Sequence, residues 1–375
     1  MLADSIIEHF GDLEDPRRDN RRHQLIDIVF ITICAVICNA ESWEDIEQFG
    51  HSKEGWLRKY LKLPHGVPTE DTFARVFAAL EPKELNRCFL GWVSAVHQWK
   101  AQTINIDGKC VRGSRDEPNG KSAIHIVSAW ARESGLSLGQ VKVDEKSNEI
   151  TAIPELLELL DLKGSLVTID AMGTQTKIAQ KIIEGGADYV LALKGNQGTL
   201  KDDVELLFRD AQANDFAGLK TSYDKKVDKD HGRLEVRECW ATEELDWLSS
   251  RKDWKGLRSI CMLRGQRTVK GQTSSEDRLY ILHAPGGRCT ARIRRYTANW
   301  CIENSLHWGL DVAFREDESR DRKRRDNAPE NLAVIRHIAL NLLKSENALK
   351  RSIAGKRDAD GWEEGYLETV LSNAP

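Results

Sequence analysis

The sequence predicts an α/β protein: a mixed five-stranded sheet with flanking helices, a β-rich insertion, and a separate N-terminal α-helical domain. Three observations support this prediction. Apolar residues recur at helical spacing over residues 1–98, and from residue 103 they form short strand-like runs that alternate with helical ones. The chain of 375 residues has room for two or three domains. We place the boundaries at 1–98, at 99–345 with the insertion at about 215–290, and at 346–375 for a C-terminal tail.

The N-terminal domain contains the longest apolar run of the chain, residues 25–40. Asp27 interrupts this run, which is also shorter than the roughly 18 to 20 residues that cross a bilayer, so we predict a buried helix and no membrane contact. Ser42 and Thr69 precede the next apolar-periodic segments as candidate N-caps. The acidic residues near the N-terminus do not resemble a secretion signal, so we expect a cytoplasmic protein.

The composition is that of an ordinary globular protein, with 40% hydrophobic and 30% charged residues. The eight cysteines contain no CxxC pair, which argues against the usual structural zinc motifs and predicts no disulfide framework. The net charge of -4 is unusual for a protein that binds nucleic acid, because phosphate contacts come from Lys and Arg. Basic residues nevertheless cluster locally, at 15–23, 288–295 and 320–325.

From residue 103 the predicted order of elements is β-β-β-α-β-α-β. Three strands, in TINIDGKCVRG, HIVSAWA and LSLGQVKV, should form an antiparallel meander, and two helix–strand pairs follow that end in SLVTIDA and DYVLAL. This is the order of the ribonuclease H core, whose later strands are made parallel by helical crossovers. Strand-like patterns return over residues 220–285, which predicts the insertion, and long helices are expected near 294–316 and 328–345.

Two aspartates end predicted strands. Asp107 follows INI in the first strand, and Asp170 follows VTI in the fourth. Because these strands are neighbours in a ribonuclease H topology, the two carboxylates should face each other. Phosphodiester hydrolysis or transfer uses two Mg²⁺ ions roughly 3.5 to 4 Å apart, which carboxylates on adjacent strands can bridge. Either residue alone could simply cap a turn. Together, in this order of elements, they predict a catalytic site for two Mg²⁺ or Mn²⁺ ions.

A third acidic ligand is expected from a helix packed on that sheet, and Glu303 is the best candidate. Glu303, His307 and Asp311 recur at helical spacing and so share one helix face. An exposed polar stripe is the plainer interpretation, but a histidine one turn from a glutamate and beside tryptophans favours a site. Asp311, Glu316 and Asp317 are the alternatives for the third acid.

Several phrases of the sequence make the chain resemble a known family. They are IDGK, KSNEITAIP, TIDAMGTQ, DYVLALKGNQ, DHGRLEVR and WCIENSLHWGLDVAFREDESR. The chain is similar to bacterial insertion-sequence DDE transposases, and most closely to the H-repeat-associated family found with Rhs elements. The resemblance covers nearly the whole chain. It implies DNA cleavage and transfer by Asp107, Asp170 and Glu303, with a β insertion between the second and third acids.

Related transposases carry a Tyr, an Arg and a Lys around the third acid. Tyr296 matches this pattern, but Asn299 stands where the Arg would be and Leu310 where the Lys would be. The phosphate contacts of this segment therefore fall to other residues. The candidates are Arg294, Arg295, His307 and Arg315.

The resemblance also implies DNA contacts in the insertion and after the fifth strand. His231 begins a turn into an alternating strand that presents Arg233 and Arg237 on one side, near the scissile phosphate. An ordinary solvated edge strand is the alternative there. Lys194 and Asn196 follow the fifth strand and are the corresponding candidates to hold phosphate.

The leading interpretation is a transposase that frees a 3′-hydroxyl at the ends of its element and uses that hydroxyl to attack target DNA. The helical domain would recognise the terminal inverted repeats of double-stranded DNA, with phosphate contacts from Arg17, Arg18, Arg21 and Arg22. The resemblance implies a homodimer in a synaptic complex, and we expect the protein to associate with the nucleoid. The alternatives are a catalytically inactive transposase-derived DNA-binding or regulatory protein and a stand-alone nuclease of the junction-resolvase kind.

Overall fold

The computed structural model describes residues 2–18, 21–96, 101–116, 120–144, 147–230, 233–283, 302–318 and 325–372. Within these ranges the chain forms thirteen α-helices and nine strands. None of the helices in this part of the chain combines the length and the apolar character that a membrane span requires. The chain divides into two compact units, the first made of Met1–Lys100, Gly108–Lys146 and Ile302–Pro375, and the second of Ala101–Asp107 and Ser147–Cys301.

The helices and strands follow one another in the predicted order from β1 to β5. The helices are α1 (Leu2–Gly11), α2 (Leu25–Ile37), α3 (Trp43–Ser52), α4 (Glu54–Leu57), α5 (Glu70–Ala79), α6 (Pro82–Val96), α7 (Glu149–Leu159), α8 (Thr176–Glu184), α9 (Gly198–Ala213), α10 (Trp308–Phe314), α11 (Ala328–Ser345), α12 (Ile353–Trp362) and α13 (Glu364–Ser372). The strands are β1 (Thr103–Val111), β2 (Ile124–Ala131), β3 (Leu136–Lys142), β4 (Leu166–Ile169), β5 (Asp188–Leu193), β6 (Thr221–Asp230), β7 (Arg233–Thr242), β8 (Ser259–Val269) and β9 (Gln272–Leu282).

The core of the first unit is built around α2 and α11. The apolar run predicted as a buried helix is α2, in which every residue except Ile26 is buried. Helix α11 is buried over most of its length and packs against α2, α5, α6 and β3. Its Asn331 Nδ2 donates to the carbonyls of Phe77 and Leu80 at 2.8 and 2.9 Å, which satisfies the C-terminal end of α5. Hydrophobic burial and end-capping together hold this helical layer.

The two predicted N-caps have different outcomes. Ser42 forms a capping box at the start of α3, in which its side chain accepts from Asp45 N and the Asp45 side chain accepts from Ser42 N. Thr69 is the N-cap residue of α5 but makes no side-chain capping bond. Its hydroxyl lies 3.3 Å from that of Thr72 instead. The helix start is therefore predicted correctly at both positions, while the capping bond forms at only one.

The segment after residue 345 is helical and packs within the first unit. Arg357 of α12 is fully buried and donates from Nε and Nη2 to Val36 O, at the end of α2, at 3.1 and 2.9 Å. Its Nη1 donates to Ala313 O near the end of α10, and its guanidinium lies over the Phe314 ring at 4.3 Å. The C-terminal segment thus anchors the ends of two helices.

The strands of the second unit continue beyond the predicted five-stranded core. β1, β4 and β5 are parallel neighbours, and β9, β8, β7 and β6 follow in antiparallel pairs from β5 outward. The predicted β insertion is therefore part of the sheet, because β9 pairs with β5. This pairing satisfies backbone groups that an exposed β5 edge would leave open. Val190, Cys239, Cys261 and Tyr280 belong to the apolar cluster that these strands share.

The first unit contains the other strands of the sheet, which has nine strands in all. β2 and β3 pair antiparallel, as predicted, with a register shift between Ala129 and Trp130. β1 runs through both units, with residues 103–107 in the second and 108–111 in the first. Val111 packs with Ile126 and Ala333 in a small apolar cluster of the first unit.

Candidate active site

Asp107 and Asp170 lie side by side on neighbouring parallel strands. The last paired residues of β1 and β4 are Ile106 and Ile169, and each aspartate is the next residue of its chain segment. Both isoleucines are 2% exposed, whereas both aspartates are partly exposed. Neighbouring strands are about 4.8 Å apart, so the two carboxylates emerge at the same level of the sheet. Asp107 was predicted to end its strand, but β1 continues to Val111, so Asp107 lies within β1, whereas Asp170 directly follows β4 as predicted.

A side-chain contact identifies the face of the sheet on which Asp107 lies. Asn105 Nδ2 donates to Thr168 Oγ1 at 2.6 Å, and both residues are buried. Alternate residues of a strand point to the same face, so Asp107 lies on the face that carries Asn105. Asn105 and Thr168 are not among the site residues predicted from the sequence, although each stands two residues before a predicted catalytic aspartate.

The turn after β4 holds the carboxylate of Asp170 in one orientation. Its Oδ1 accepts from Met172 N at 2.9 Å and from Gly173 N at 3.3 Å. Gly173 packs so closely that a Cβ there would lie 2.3 Å from Ile169 Cγ2 and 2.7 Å from Ile153 Cδ1. The glycine of the DAMG sequence is therefore required by packing. Because the turn bonds go to Oδ1, they fix the direction of the whole carboxylate.

The loop after β5 supports the same turn. Asn196 Nδ2 donates to Ala171 O at 2.6 Å, and the Gln197 side chain donates to Thr174 O. Thr174 Oγ1 in turn lies 2.7 Å from Ala192 O and 3.1 Å from Asp170 O. Asn196, predicted to hold phosphate, thus uses its amide within the protein. The neighbouring Lys194, also a predicted phosphate contact, is exposed.

Glu303, the predicted third acid, lies in a helical segment of the first unit. Residues Glu303–His307 form a π-turn that leads into α10, and Trp308 N donates to Glu303 O. Glu303 is exposed, His307 is 9% exposed, and Asp311 is partly exposed. The predicted polar stripe is therefore buried at its middle residue. π-turns inside helices occur often at functional sites, where they redirect side chains.

The alternative third acids, Asp311 and Glu316, are both bound by one lysine. Lys109 Nζ donates to Asp311 and, at 2.7 Å, to Glu316 Oε2. Arg336 Nη1 lies 3.5 Å from Glu316 Oε1. Burial alone would raise the pKa of Glu316, but Lys109 and Arg336 lower it to about 2, so this carboxylate is ionised at neutral pH. Lys109 lies in the IDGK phrase but is not among the site residues predicted from the sequence.

The residues suggested in place of the missing basic side chains differ in what they can do. Burial, with a further contribution from Lys109, lowers the pKa of His307 to about 4, so its imidazole is neutral at pH 7 and provides no positive charge for phosphate. Arg315 is exposed, with Nε 3.7 Å from Glu41 Oε1. Arg294, Arg295 and Tyr296 lie outside the described residues.

The predicted DNA contacts in the insertion surround a single carboxylate. Glu235 Oε1 lies 3.3 Å from Arg233 Nε, and Glu235 Oε2 accepts from Arg237 Nη2 at 3.0 Å. Arg267 of β8 pairs in register with Glu235 and places its Nε 3.9 Å from Oε1. Arg267 is not among the contacts predicted from the sequence, because the sequence does not show which strand pairs with its own. His231 lies outside the described residues.

The four arginines of the predicted N-terminal DNA contact are not equivalent. Arg17 donates from Nε and Nη2 to the two oxygens of Asp15 at 2.9 and 2.8 Å, and Nη2 also donates to His23 O at 2.7 Å. Arg18, Arg21 and Arg22 are exposed, and Arg21 Nη1 lies 3.5 Å from Asp15. Arg17 therefore has a structural role in its loop, while the other three present their charge to solvent.

Asp107 and Asp170 provide carboxylate oxygens, the ligand type that Mg²⁺ and Mn²⁺ prefer. In the part of the chain that the structure describes, no group of three or more His, Cys, Asp or Glu side chains is arranged as a complete metal site. The two aspartates of neighbouring strands are thus the part of the predicted metal site that lies within a single unit.

Comparison with known proteins gives the family of the chain. The family model described as Transposase DDE domain matches residues 98–342, and the one described as DDE_Tnp_1-associated matches residues 7–93. The chain is 40% identical to the putative transposase YncI of Escherichia coli O157:H7, over 100% of this chain and 96% of that protein. It is 38% identical to the H repeat-associated putative transposase YhhI of Escherichia coli strain K12, over 100% of this chain and 99% of that protein.

Among solved structures, the chain aligns with a piggyBac transposase in a synaptic complex with hairpin DNA. The TM-score is 0.41 and the identity 11%, over 98% of this chain and 77% of that chain. The family match rests on the sequence, since the DDE domain model covers more than half of the chain and the two relatives align with its full length. The chain therefore belongs to the DDE transposases, in the H repeat-associated family.

Proposed function

We propose that this transposase cuts phosphodiester bonds at the ends of its element and transfers the freed 3′ ends into target DNA. The observation that supports this proposal is the pairing of Ile106 with Ile169, which sets Asp107, within β1, beside Asp170, directly after β4. The parallel neighbours β1, β4 and β5, linked through helices, also support a ribonuclease H-like core. Fold and acids together favour a nuclease and strand-transfer enzyme.

Transposases with a DDE domain generally use divalent metal ions. The oxygen donors of Asp107 and Asp170 fit Mg²⁺ or Mn²⁺, and Glu303 is the proposed third ligand because it is exposed and lies in the WCIEN phrase. Two such ions, when bound, would activate the attacking oxygen and neutralise charge at the scissile phosphate. No covalent protein intermediate is needed, since water and then the 3′-hydroxyl of the DNA are the attacking groups.

The protein's own contribution is to hold these acids rigidly. Asp107 belongs to a strand that is paired in the sheet, and the turn amides of Met172 and Gly173 fix Asp170. Ligands on rigid elements keep the productive geometry better than ligands on free loops. Asn196 donates to Ala171 O and so helps to hold the turn that carries Asp170. We therefore propose a positioning role for Asn196 in addition to its predicted phosphate contact.

The DNA contacts are proposed for exposed cationic side chains on both units. In the insertion, Glu235 orients Arg233, Arg237 and Arg267, and a phosphate can exchange for its carboxylate between these guanidinium groups. In the N-terminal helical domain, residues 1–98, the exposed arginines are proposed to contact terminal-repeat DNA. These arginines are Arg18, Arg21 and Arg22. The further proposed contacts are Lys194 and, outside the described residues, His231, Arg294, Arg295 and Tyr296.

We further propose that residues 99–345 form the catalytic domain and that a homodimer joins two element ends in a synaptic complex. Double-stranded DNA, as terminal inverted repeats and as target, is the proposed partner. The homodimer follows from the family resemblance. We also propose that the protein associates with the nucleoid in the cytoplasm.

The test is incubation of the purified full chain with its own flanking DNA and Mg²⁺, with cleavage positions mapped on a sequencing gel. Cuts should occur at the element ends and disappear in excess chelator. Ca²⁺, which coordinates more loosely, should support binding with little cutting. End cleavage that persists in chelator would contradict the proposal.

The same assay separates the alternatives. A DNA-binding or regulatory protein without catalysis would shift its end DNA at all metal concentrations and never cut it. A stand-alone nuclease would nick supercoiled plasmid with no preference for element ends. Selective, metal-dependent cutting at the ends is expected only of the transposase.

A further inference from the structure

Lys109 stands two residues after Asp107 on β1, and we propose that it is a positioning residue for the third acid. Its ammonium group fixes the helical segment that contains Glu303 to β1, two residues after Asp107. This inference rests on the proposed function, since it takes Asp107 and Glu303 to act together. It is carried by the contacts of Lys109 within the first unit and by its place on the strand.

The ammonium group of Lys109 lies between two acids that follow Glu303 in the chain. Its Nζ donates to Asp311 and, at 2.7 Å, to Glu316 Oε2. The side chain of Lys109 is 10% exposed and that of Glu316 is 2% exposed, so this ion pair is almost out of water. Arg336, 3.5 Å from Glu316, supplies the second positive charge. Two cations and two carboxylates thus form a balanced, largely buried cluster.

The geometry of β1 and of the helix gives the distance of Lys109 from Asp107 and the distance of Asp311 from Glu303. Lys109 and Asp107 lie on the same face of β1, about 6.6 Å apart along the strand at 3.3 Å per residue. Asp311 follows Glu303 by eight residues, which is about 12 Å along a helix at 1.5 Å per residue. The contact with Lys109 is therefore about two helical turns from Glu303. Any slide of the helix along β1 would break this contact.

The end of α10 makes the cluster specific for one helix position. The helix ends at Arg315, which has a left-handed φ of 45°, and Glu316 N donates to Leu310 O at 3.2 Å. This backbone bond fixes Glu316 relative to the helix. Lys109 therefore binds one acid on the helix and one directly beyond its end. Apolar side chains could stabilise the packing equally well, but they would not select a single register.

The experiment compares Lys109→Met with the charge-balanced double variant Lys109→Met/Asp311→Asn. The double variant keeps Glu316 paired with Arg336 and so removes the excess negative charge that the single variant leaves. Lys142→Met is the matched control, because Lys142 Nζ lies 3.5 Å from Glu330 Oε2 in the same unit. For each full-length protein bound to an end-sequence duplex, Mn²⁺ binding is measured by electron paramagnetic resonance, and end cleavage is titrated with Mg²⁺.

Half-saturation by Mn²⁺ should require at least about tenfold more metal in both Lys109 variants, the effect typical of residues that orient a metal ligand. The affinity for DNA should stay unchanged, and Lys142→Met should match the wild type in Mn²⁺ binding, in the Mg²⁺ titration of cleavage and in DNA affinity. The thermal midpoint should fall in the single variant and recover in the double variant. This difference separates positioning from folding.

Wild-type Mn²⁺ affinity in the double variant would overturn the inference, because Lys109 would then only compensate charge. Unchanged Mn²⁺ affinity in a folded single variant would overturn it equally. A wild-type protein that neither binds Mn²⁺ nor cuts its ends would refute the proposed function itself, and the inference with it. The two failures are therefore distinguishable.

Discussion

Asp107 and Asp170 lie side by side because each follows one member of the paired residues Ile106 and Ile169. Their spacing is thus set by backbone hydrogen bonds between two parallel strands. A change in strand register by one residue would separate the acids and turn one of them to the other face. The sheet, more than any loop, determines the geometry of the proposed metal site.

The turn that orients Asp170 depends on Gly173. We expect Gly173→Ala to destabilise the protein by about 1 to 3 kcal/mol, the usual cost of overpacking, because the new Cβ meets Ile169 and Ile153. The rate of end cleavage should also fall in protein that is still folded, because the backbone shift moves the amides of Met172 and Gly173 that orient Asp170. Thermal unfolding and end cleavage measure the two effects. Gly365→Ala is the control, because its Cβ would meet nothing within 4 Å. A Gly173→Ala protein with the thermal midpoint and cleavage rate of the wild type would show that packing does not require a glycine at this position.

Glu303 and Glu316 should separate catalysis from stability. Glu303→Gln should abolish end cleavage with the thermal midpoint unchanged, because Glu303 is exposed. Glu316→Gln should lower the midpoint, because this buried acid pairs with Lys109 and Arg336. Circular dichroism melts and gel assays on the same preparations provide both values. A Glu303→Gln protein that cuts like the wild type would show that another acid completes the site.

Asp360 should make the stability of the protein depend on pH. It is fully buried, and neither carboxylate oxygen has a hydrogen-bond partner within the described structure. Burial raises its pKa from 3.8 to about 8, Glu346 adds to this, and Lys356 opposes it. The folded state therefore keeps a proton that the unfolded state has released between these pH values. The free energy of unfolding should fall as pH rises through that window and level off above about pH 8.

Asp360→Asn should remove this dependence. The variant should be more stable than the wild type at pH 8, by up to a few kcal/mol at about 1.4 kcal/mol per pKa unit, and the two should converge near pH 4. Melting curves of both proteins between pH 4 and 9 test this, with Asp358→Asn on the same helix as the control. If the thermal midpoints of the two proteins differed by the same amount at every pH, Asp360 would not be the source of the pH dependence.

The N-terminal arginines should differ in their effect on DNA binding. Arg21→Ala and Arg22→Ala should each weaken binding and reduce the slope of log affinity against log salt by about one, as expected when one phosphate contact is lost. Arg17→Ala should change the slope least, because its guanidinium is bonded to Asp15 and His23. Fluorescence anisotropy at several KCl concentrations gives the slopes. An equal loss of slope in Arg17→Ala would remove the distinction between these arginines.

Local patterns were sufficient to predict the order of elements along the chain from β1 to β5 and the neighbouring positions of Asp107 and Asp170. INID and VTID each combine an apolar run with an acid directly after it, and a parallel arrangement of the two strands brings such acids together, although β1 continues beyond its acid. The buried helix α2 was predictable for the same reason, since its apolar run is continuous in the sequence. These features depend on residues that are close in the chain.

Long-range contacts were not predictable in this way. Lys109 is separated from Asp311 and Glu316 by 202 and 207 residues, and no local pattern indicates that they meet. The pairing of β9 with β5, which enlarges the sheet, and the position of Arg267 beside Glu235 likewise depend on strand neighbours that are distant in sequence. The π-turn at Glu303 also has no signature in residue spacing.

The most direct test of the central claim is end cleavage by Asp107→Asn and Asp170→Asn, compared with Asp161→Asn on the surface of the same unit. Both site variants should lose at least about 100-fold in cleavage rate, because each weakens transition-state stabilisation by several kcal/mol. They should bind end DNA at least as tightly as the wild type, since a negative charge near phosphate is removed. Asp161→Asn should cut normally. If either site variant cuts at the wild-type rate, Asp107 and Asp170 do not form the catalytic pair.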